Sequence, residues 1–334
     1  MGHLITIKDI AKFLNISVAT VSRALRDTYD VNQDTKAKVL EVAAQLNYKP
    51  NFNARGLAKG RSHNIGIILP WITNYYFSTV ITGIQEIAYE KGYNIILFLT
   101  SDSPERELSI IQNLSIANID GLLVSISSYS SGHFQDIINE GIPIVFFDRV
   151  PNNILTSKVM QNDFHGAFEA VEHLIENGYK KIAHIAGPRD LSFTEKRLQG
   201  YIAALQKYNL PVREEWVIYS GFSQECGEND AYQLLKCEEI PDAIFAVNDR
   251  KAIGSMMALK SKNILIGKEI GVVGFTNDPA STIISPTLTT MAEPAFDIGK
   301  KSCELLFKHI KKKNFIFEEV IIPGKLIIRE STIH

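Results

Sequence analysis

Thr6-Ile7-Lys8-Asp9-Ile10-Ala11-Lys12-Phe13-Leu14-Asn15-Ile16-Ser17-Val18-Ala19-Thr20-Val21-Ser22-Arg23-Ala24-Leu25-Arg26 spells two short helices joined by a tight turn. Ile7, Ile10, Ala11 and Leu14 recur at the three- and four-residue spacing of one buried helix face. Asn15 and Ile16 break that repeat. Asparagine enters the left-handed region at little cost and so can turn the chain. Ser17 then offers a side-chain oxygen as N-cap for a second helix that buries Val21, Ala24 and Leu25. This leaves Val18, Ala19, Ser22 and Arg23 pointing outward. Small residues, a hydroxyl and one arginine at the front of a helix suit entry into a groove. Many amphipathic helix pairs share part of this pattern, so the neighbouring sequence has to decide.

A third helix is expected over 34–47, capped by Asp34, with Val39, Val42, Ala43 and Leu46 inward; Asn47-Tyr48-Lys49-Pro50-Asn51-Phe52-Asn53-Ala54-Arg55-Gly56-Leu57-Ala58-Lys59-Gly60-Arg61 follows. This succession resembles the lactose-repressor/galactose-repressor (LacI/GalR) family of bacterial transcription regulators. The resemblance rests on Thr6–Ala11, Ser17–Arg23, Leu46–Asn51 and the linker Ala54-Arg55-Gly56-Leu57, and continues through the remaining chain. It implies an α/β protein: an N-terminal helix-turn-helix headpiece on a periplasmic-binding-protein-like body of two doubly wound parallel-sheet subdomains. The boundaries implied are 1–49 for the DNA-binding domain, 50–63 for the hinge helix or linker, and 64–334 for the effector-binding and dimerisation domain.

What the resemblance implies for function is a cytoplasmic homodimer that binds a palindromic operator in double-stranded DNA and represses carbohydrate uptake or catabolism genes. Its small-molecule effector would be a sugar or sugar derivative. A purine- or nucleoside-responsive regulator, or one dependent on a protein corepressor, is the alternative within the family. Thr6, Ser17, Val18, Ala19, Thr20, Ser22 and Arg23 would face DNA from the head, with Arg23 on a guanine edge. Asn51, Ala54 and Leu57 would do so from the hinge. Asn51 can cap a short helix on which Ala54 and Leu57 share a face, and the family's hinge leucine wedges into the minor groove.

Charge distribution agrees with a polyanion partner for the head alone. The whole chain carries a formal −2, yet residues 1–62 hold ten Lys/Arg against five Asp/Glu, so the body is the acidic part. Cys226, Cys237 and Cys303 have no metal-ligand spacing and read as thiols of a reducing compartment. No apolar run approaches a membrane span, and no signal-peptide pattern opens the chain, so neither a membrane nor export is expected.

In the body, apolar runs of strand length alternate with amphipathic helical segments. Strands are expected at 65–69, 94–99, 121–125, 143–147, 181–186, 242–247 and 271–275, with a further one at 217–219. Helices are expected near 76–91, 104–117, 133–140, 163–177, 194–208, 224–236 and 249–260. Continuous β-branched runs indicate strands buried on both faces, the mark of a parallel, doubly wound sheet. By the resemblance, the chain crosses between subdomains near 161–163, 289–292 and 322–324. The first subdomain would then hold about 64–161 and 290–322, and the second 162–289 and 323–334.

Catalytic motifs are weak. Gly56-Leu57-Ala58-Lys59-Gly60-Arg61-Ser62 superficially resembles a phosphate-binding loop but is one residue short, has Arg for Lys and follows no strand. Glu169 and His173 lie one helical turn apart without a third metal ligand nearby. No nucleophile, base and oxyanion donor assemble, so neither an enzyme, a cofactor nor a metal is expected.

A crevice outside strand C-terminal ends nevertheless calls for a ligand. Tyr76 and Phe77 follow the first body strand, Asp148 ends the strand at Phe147, and Arg197 begins the helix after Gly187-Pro188. Phe222 and Asn248 follow two further strands, and Thr276 ends the strand at Phe275. By position Tyr76, Phe77, Asp148, Arg197, Phe222 and Asn248 match effector-contacting positions of the family, and Thr276 is a seventh candidate that departs from its pattern. Aromatic faces with Arg, Asn and Asp suit a polyhydroxyl ligand. Many family members carry an acid where Thr276 stands, so Asn277 or Asp278 is expected to substitute for it. Arg197 is expected to lean towards Asp148 and the 74–77 loop.

Overall fold

A computed structural model describes residues 5–25, 31–48, 61–114, 118–127, 132–189, 191–312 and 316–333. The chain divides into two compact units, a head up to Ser62 and a body from His63 onward.

In the head, α1 (Ile7–Leu14), α2 (Val18–Ala24) and α3 (Gln33–Gln45) enclose Ile10, Ala11, Val21, Ala24, Val39, Val42 and Ala43. Asn15 ends α1 in the left-handed region, at φ 53°. Ser17 Oγ accepts a hydrogen bond from the Thr20 amide at 3.0 Å, satisfying one of the donors that a helix start leaves open. The cap of α3 differs from expectation. Asn32, not Asp34, occupies that position, its Oδ1 accepting from the Asp34 amide at 2.9 Å. Asp34 instead lies in the first turn, where the positive helix end favours its charge.

The body contains two six-stranded sheets. The first has the order β11 (Glu319–Ile322), β5 (Lys158–Gln161), β4 (Ile144–Phe147), β3 (Leu122–Val124), β1 (Asn64–Leu69) and β2 (Asn94–Leu99), all parallel. Helices α4 (Tyr75–Glu90) and α11 (Ala295–Lys311) cover one face; α5 (Pro104–Gln112) and α6 (Gly132–Asn139) cover the other. Gly299 lets α4 and α11 touch backbone to backbone, since a Cβ there would stand 2.1 Å from the Val80 carbonyl oxygen.

The second sheet runs β12 (Lys325–Ile327), β10 (Thr289–Ala292), β9 (Gly271–Thr276), β8 (Ala243–Ala246), β6 (Ile182–Ala186) and β7 (Val217–Tyr219). Only β12 is antiparallel to its neighbour. α7 (Asp163–Glu176) and α8 (Ser192–Lys207) pack on one face, α9 (Gln224–Leu234) and α10 (Asp249–Ser261) on the other. A Cβ at Gly254 would lie 1.9 Å from the Gln224 carbonyl oxygen, so this glycine sets how closely α9 and α10 approach. Interior strands such as β8 are buried along their whole length, while the edge strand β2 exposes Leu97 and Leu99.

The chain passes between the lobes after Gln161, after Ala292, and between Ile322 and Lys325. The second passage corrects the sequence reading, which put residues from 290 onward in the first lobe. Thr289–Ala292 is instead a strand of the second sheet, paired with β9, and the crossing falls at Glu293-Pro294. Among the described residues no helix is long and apolar enough to cross a membrane.

Candidate functional site

The ends of strands from both sheets meet around a cavity of about 430 Å³ within the body. Tyr76, Phe77, Asp148, Arg197, Phe222, Asn248 and Thr276, the seven residues singled out in the sequence, all line it. Tyr76 and Phe77 open α4, whose cap is Asn74, its Oδ1 accepting from the Tyr76 amide at 2.9 Å. Asn248 caps α10 through its Oδ1, which accepts from the Lys251 amide at 2.8 Å, while its Nδ2 donates to the Phe222 carbonyl at 3.2 Å. Asp148 has φ 59° and Thr276 φ 135°. The second value is a strained backbone for a β-branched residue, the kind of strain that gathers at ligand sites.

Arg197 dominates the electrostatics of the floor. It sits in the second turn of α8 and does not lean towards Asp148 or the 74–77 loop as expected. Its Nε and Nη2 each lie 2.8 Å from Asp163 Oδ1, Nη2 lies 2.8 Å from Glu293 Oε1, and Nη1 donates to the Val247 carbonyl at 2.6 Å. The guanidinium carbon stands 3.6 Å from the centre of the Phe275 ring, and Phe193 lies on another side at 5.0 Å. Burial opposes its charge, but Asp163 and Glu293 outweigh that and hold its pKa above the usual value.

The carboxylates respond in the opposite direction. Burial, then the neighbouring carboxylate charges, lift Glu293 to about 7 against the pull of Arg197. Burial likewise lifts Asp148 to about 6, with Arg149 opposing and Asp163 adding to the rise. Asp148 Oδ2 accepts from Ser125 Oγ at 3.1 Å and stands 4.0 Å from Arg149 Nε. The Tyr76 hydroxyl is buried and has no hydrogen-bond partner among the described residues. Burial first, and then the field of Asp148, Glu293 and Asp163, push its pKa well up, so it remains a neutral donor.

Several lining residues escaped the sequence reading: Glu293, Phe193, Arg149, Asp102 and Arg250. Glu293 had one legible signal, an acid just before Pro294 at a lobe crossing. Asp102 accepts from Trp71 Nε1 at 3.1 Å and from Arg149 Nη1 at 2.5 Å, locking three loops of the first lobe together. Arg250 Nη2 donates to the Thr73 carbonyl at 2.7 Å, from the second lobe to the first. The expected substitutes for an acid at Thr276 face elsewhere. Asn277 Oδ1 accepts from Arg329 Nη2 at 2.7 Å, and Asp278 Oδ1 accepts from the Ala280 amide at 2.9 Å. The carboxylates of the cleft come from Asp148, Glu293 and Asp102 instead. Asp249, the residue after Asn248, is buried and accepts from Thr290 Oγ1 at 2.5 Å and the Asp278 amide at 2.7 Å.

In the head, Val18, Ala19 and Arg23 are exposed on α2 and Ser22 is half-buried. Ser17 Oγ and Thr20 Oγ1 are 2.8 Å apart, and Thr6 Oγ1 lies 2.7 Å from Asp9 Oδ2, so these hydroxyls already help to cap their helices. Asn51, Ala54 and Leu57 lie outside the described residues. His173 Nε2 pairs with Thr332 Oγ1 at 2.8 Å, and among the described residues no group of three His, Cys, Asp or Glu is placed to hold a metal.

Residues 62–330 match the periplasmic binding proteins and sugar binding domain of the LacI family, and residues 6–51 match the bacterial regulatory proteins of the lacI family. The HTH-type transcriptional repressor PurR of Actinobacillus pleuropneumoniae serotype 3 (strain JL03) is 32% identical over 328 residues, 98% of either chain. The crystal structure of the lac repressor dimer bound to operator and the anti-inducer ONPF is 25% identical with a TM-score of 0.90, covering 99% of this chain and 100% of that one. A LacI-family transcriptional regulator from Enterococcus faecium with bound ribose is 27% identical with a TM-score of 0.73, covering 81% of this chain and 98% of that one. A three-helix head and a two-lobed body with a cleft thus define a class, the two-part DNA-binding regulators. Within that class this chain belongs to the LacI family: it is a DNA-binding transcriptional repressor and not an enzyme.

Proposed function

We propose that this repressor binds its operator as a homodimer in the cytoplasm and answers to a carbohydrate effector held in the cleft between its lobes. The carrying observation is the convergence of the seven candidate residues on one cavity that holds a buried Tyr76 hydroxyl without a hydrogen-bond partner among the described residues. Tyr76, Phe77, Phe193 and Phe222 supply apolar faces for a sugar ring, and Asp148 accepts from its hydroxyls. The ribose seated in the Enterococcus faecium relative supports this reading. Effector binding biases the arrangement of the two lobes, and that arrangement sets how a pair of heads meets DNA.

On DNA, α2 enters the major groove. Arg23 reads a guanine edge, Val18 and Ala19 pack near base edges, and Thr6, Ser17, Thr20 and Ser22 position the helix on the backbone. Asn51, Ala54 and Leu57 are the proposed contacts to the minor groove.

A thermal-shift screen of neutral sugars, sugar acids and nucleobases tests the cleft, since a ligand that binds only the folded body raises its melting temperature. Stabilisation by a sugar supports the proposal; stabilisation by nucleobases alone replaces it with a purine-responsive regulator. For the head, Arg23→Ala should cost about 1–3 kcal/mol on the specific operator and less on random DNA. Equal losses in an anisotropy titration on both would reduce Arg23 to a phosphate contact.

A further inference from the structure

We propose that Glu293 sets the charge of the ligand: by occupying Arg197 together with Asp163, it closes the cleft to anions and reserves it for uncharged or cationic polyhydroxyl compounds. This rests on the carbohydrate reading of the same cleft and narrows it.

An arginine in a sugar-binding cleft ordinarily suggests a fork for a carboxylate or phosphate, because its parallel N–H groups match two oxygens. Here that fork is taken. Nε and Nη2 go to Asp163, Nη2 also to Glu293, and Nη1 to the Val247 carbonyl, with the guanidinium plane against Phe275. Of the other two cations of the lining, Arg149 is held through Nη1 by Asp102 and Arg250 through Nη2 by the Thr73 carbonyl, while the buried Arg149 Nε, 4.0 Å from Asp148, has no hydrogen-bond partner among the described residues.

The acceptors, by contrast, have capacity to spare. Asp148 accepts one hydrogen bond, from Ser125, and Arg149 Nε stands too far off at 4.0 Å to add a second. Its remaining lone pairs call for ligand O–H or N–H groups. Three arginines of the lining face three carboxylates of the lining, and Asp163 behind Arg197 makes a fourth. Once Asp148 and Glu293 are ionised, above their folded values of about 6 and about 7, the site therefore carries an excess negative charge. Apart from the Tyr76 hydroxyl and Arg149 Nε, an anionic ligand would meet acceptors with acceptors and like charge with like in a partly desolvated space.

Glu293→Gln tests this because the amide keeps the side chain's size and an oxygen for Arg197 while removing the negative charge that Glu293 carries once ionised, so the titrations are run at about pH 8, above its folded value of about 7. Fluorescence reports occupancy. Trp71 lines the cleft, whereas the chain's other tryptophan, Trp216, is fully buried in the second lobe. Inorganic phosphate, ribose and ribose 5-phosphate are titrated into full-length wild type, E293Q and the charge-conserving E293D.

Phosphate and ribose 5-phosphate are expected to quench E293Q with at least about tenfold higher affinity than wild type or E293D, as the loss of one nearby like charge demands. Saturation of wild type by millimolar phosphate overturns the proposal, and that outcome needs no variant to fold. Equal response of wild type and E293Q, including no response from either, overturns it too. Failure of the carbohydrate reading looks different: nucleobases and no sugar would stabilise wild type, with the phosphate contrast between wild type and E293Q intact.

Discussion

A guanidinium and two carboxylates buried in contact, as at Arg197, Asp163 and Glu293, constrain one another's protonation, and Glu293 bears the strain. Its folded pKa of about 7 lies above the ordinary 4.5, with burial the main cause. Below the lower value it is protonated in both folded and unfolded chains. Between the two values the folded chain keeps a proton that the unfolded chain releases, so this group's contribution to stability falls as pH rises through that window. E293Q removes the titration. Relative to wild type it should gain on the order of 1–3 kcal/mol between pH 4.5 and 7.5, read as urea unfolding free energies at the two pH values. A constant difference between the two proteins would mean that Glu293 is ionised throughout. Arg197→Met acts in the reverse sense. It strands Asp163 and Glu293 without their cation and should destabilise the body by about 3–5 kcal/mol at neutral pH, by the same measurement.

Helix α2 depends on its first turn, because seven residues give little intrinsic helical stability. Ser17→Ala removes the acceptor for the Thr20 amide and should cost about 1 kcal/mol locally. Hydrogen exchange in the full-length protein should then show the Thr20 amide exchanging roughly fivefold faster, with the body strands unaffected. Unchanged protection would mean that packing of Val21 and Ala24 alone holds the helix. Elements of this kind were legible because their signals are local: Asn15 for the turn, Ser17 for the cap, unbroken apolar runs for β1 and β8. The strands β5 and β12 were not. They are three or four residues long with Lys or Gln at their ends, and only their neighbours in the sheet make them strands. Thr289–Ala292 failed for the same reason, its polar start resembling a connection until β9 pairs with it. In the cleft, residues at strand ends could be named from order alone. Glu293 could not, since its role comes from pairing with a residue 96 positions away.

At the scale of the molecule, β2 is an edge of the first sheet among the described residues, with Leu97 and Leu99 exposed, and Leu108 of α5 is exposed as well. An apolar edge strand of this length invites pairing or cover by another chain. We place part of the proposed dimer contact here. Leu97→Asp with Leu99→Asp should yield a monomer in light scattering and abolish operator binding, while the circular dichroism of the body stays as in wild type. A variant that remains dimeric would move the interface elsewhere. The molecule also carries a gate in time. The Arg250 hydrogen bond to the Thr73 carbonyl joins one lobe to the other beside the cleft, and it engages a backbone oxygen that no side-chain replacement on the facing loop can remove. We predict that a ligand reaches Tyr76, and leaves it, only when that bond opens. Arg250→Ala should therefore raise the association and dissociation rates of the effector together in stopped-flow traces of Trp71 emission, with their ratio little altered. How long the repressor remembers a pulse of effector is then set at this bridge, by a residue that need never touch the effector itself.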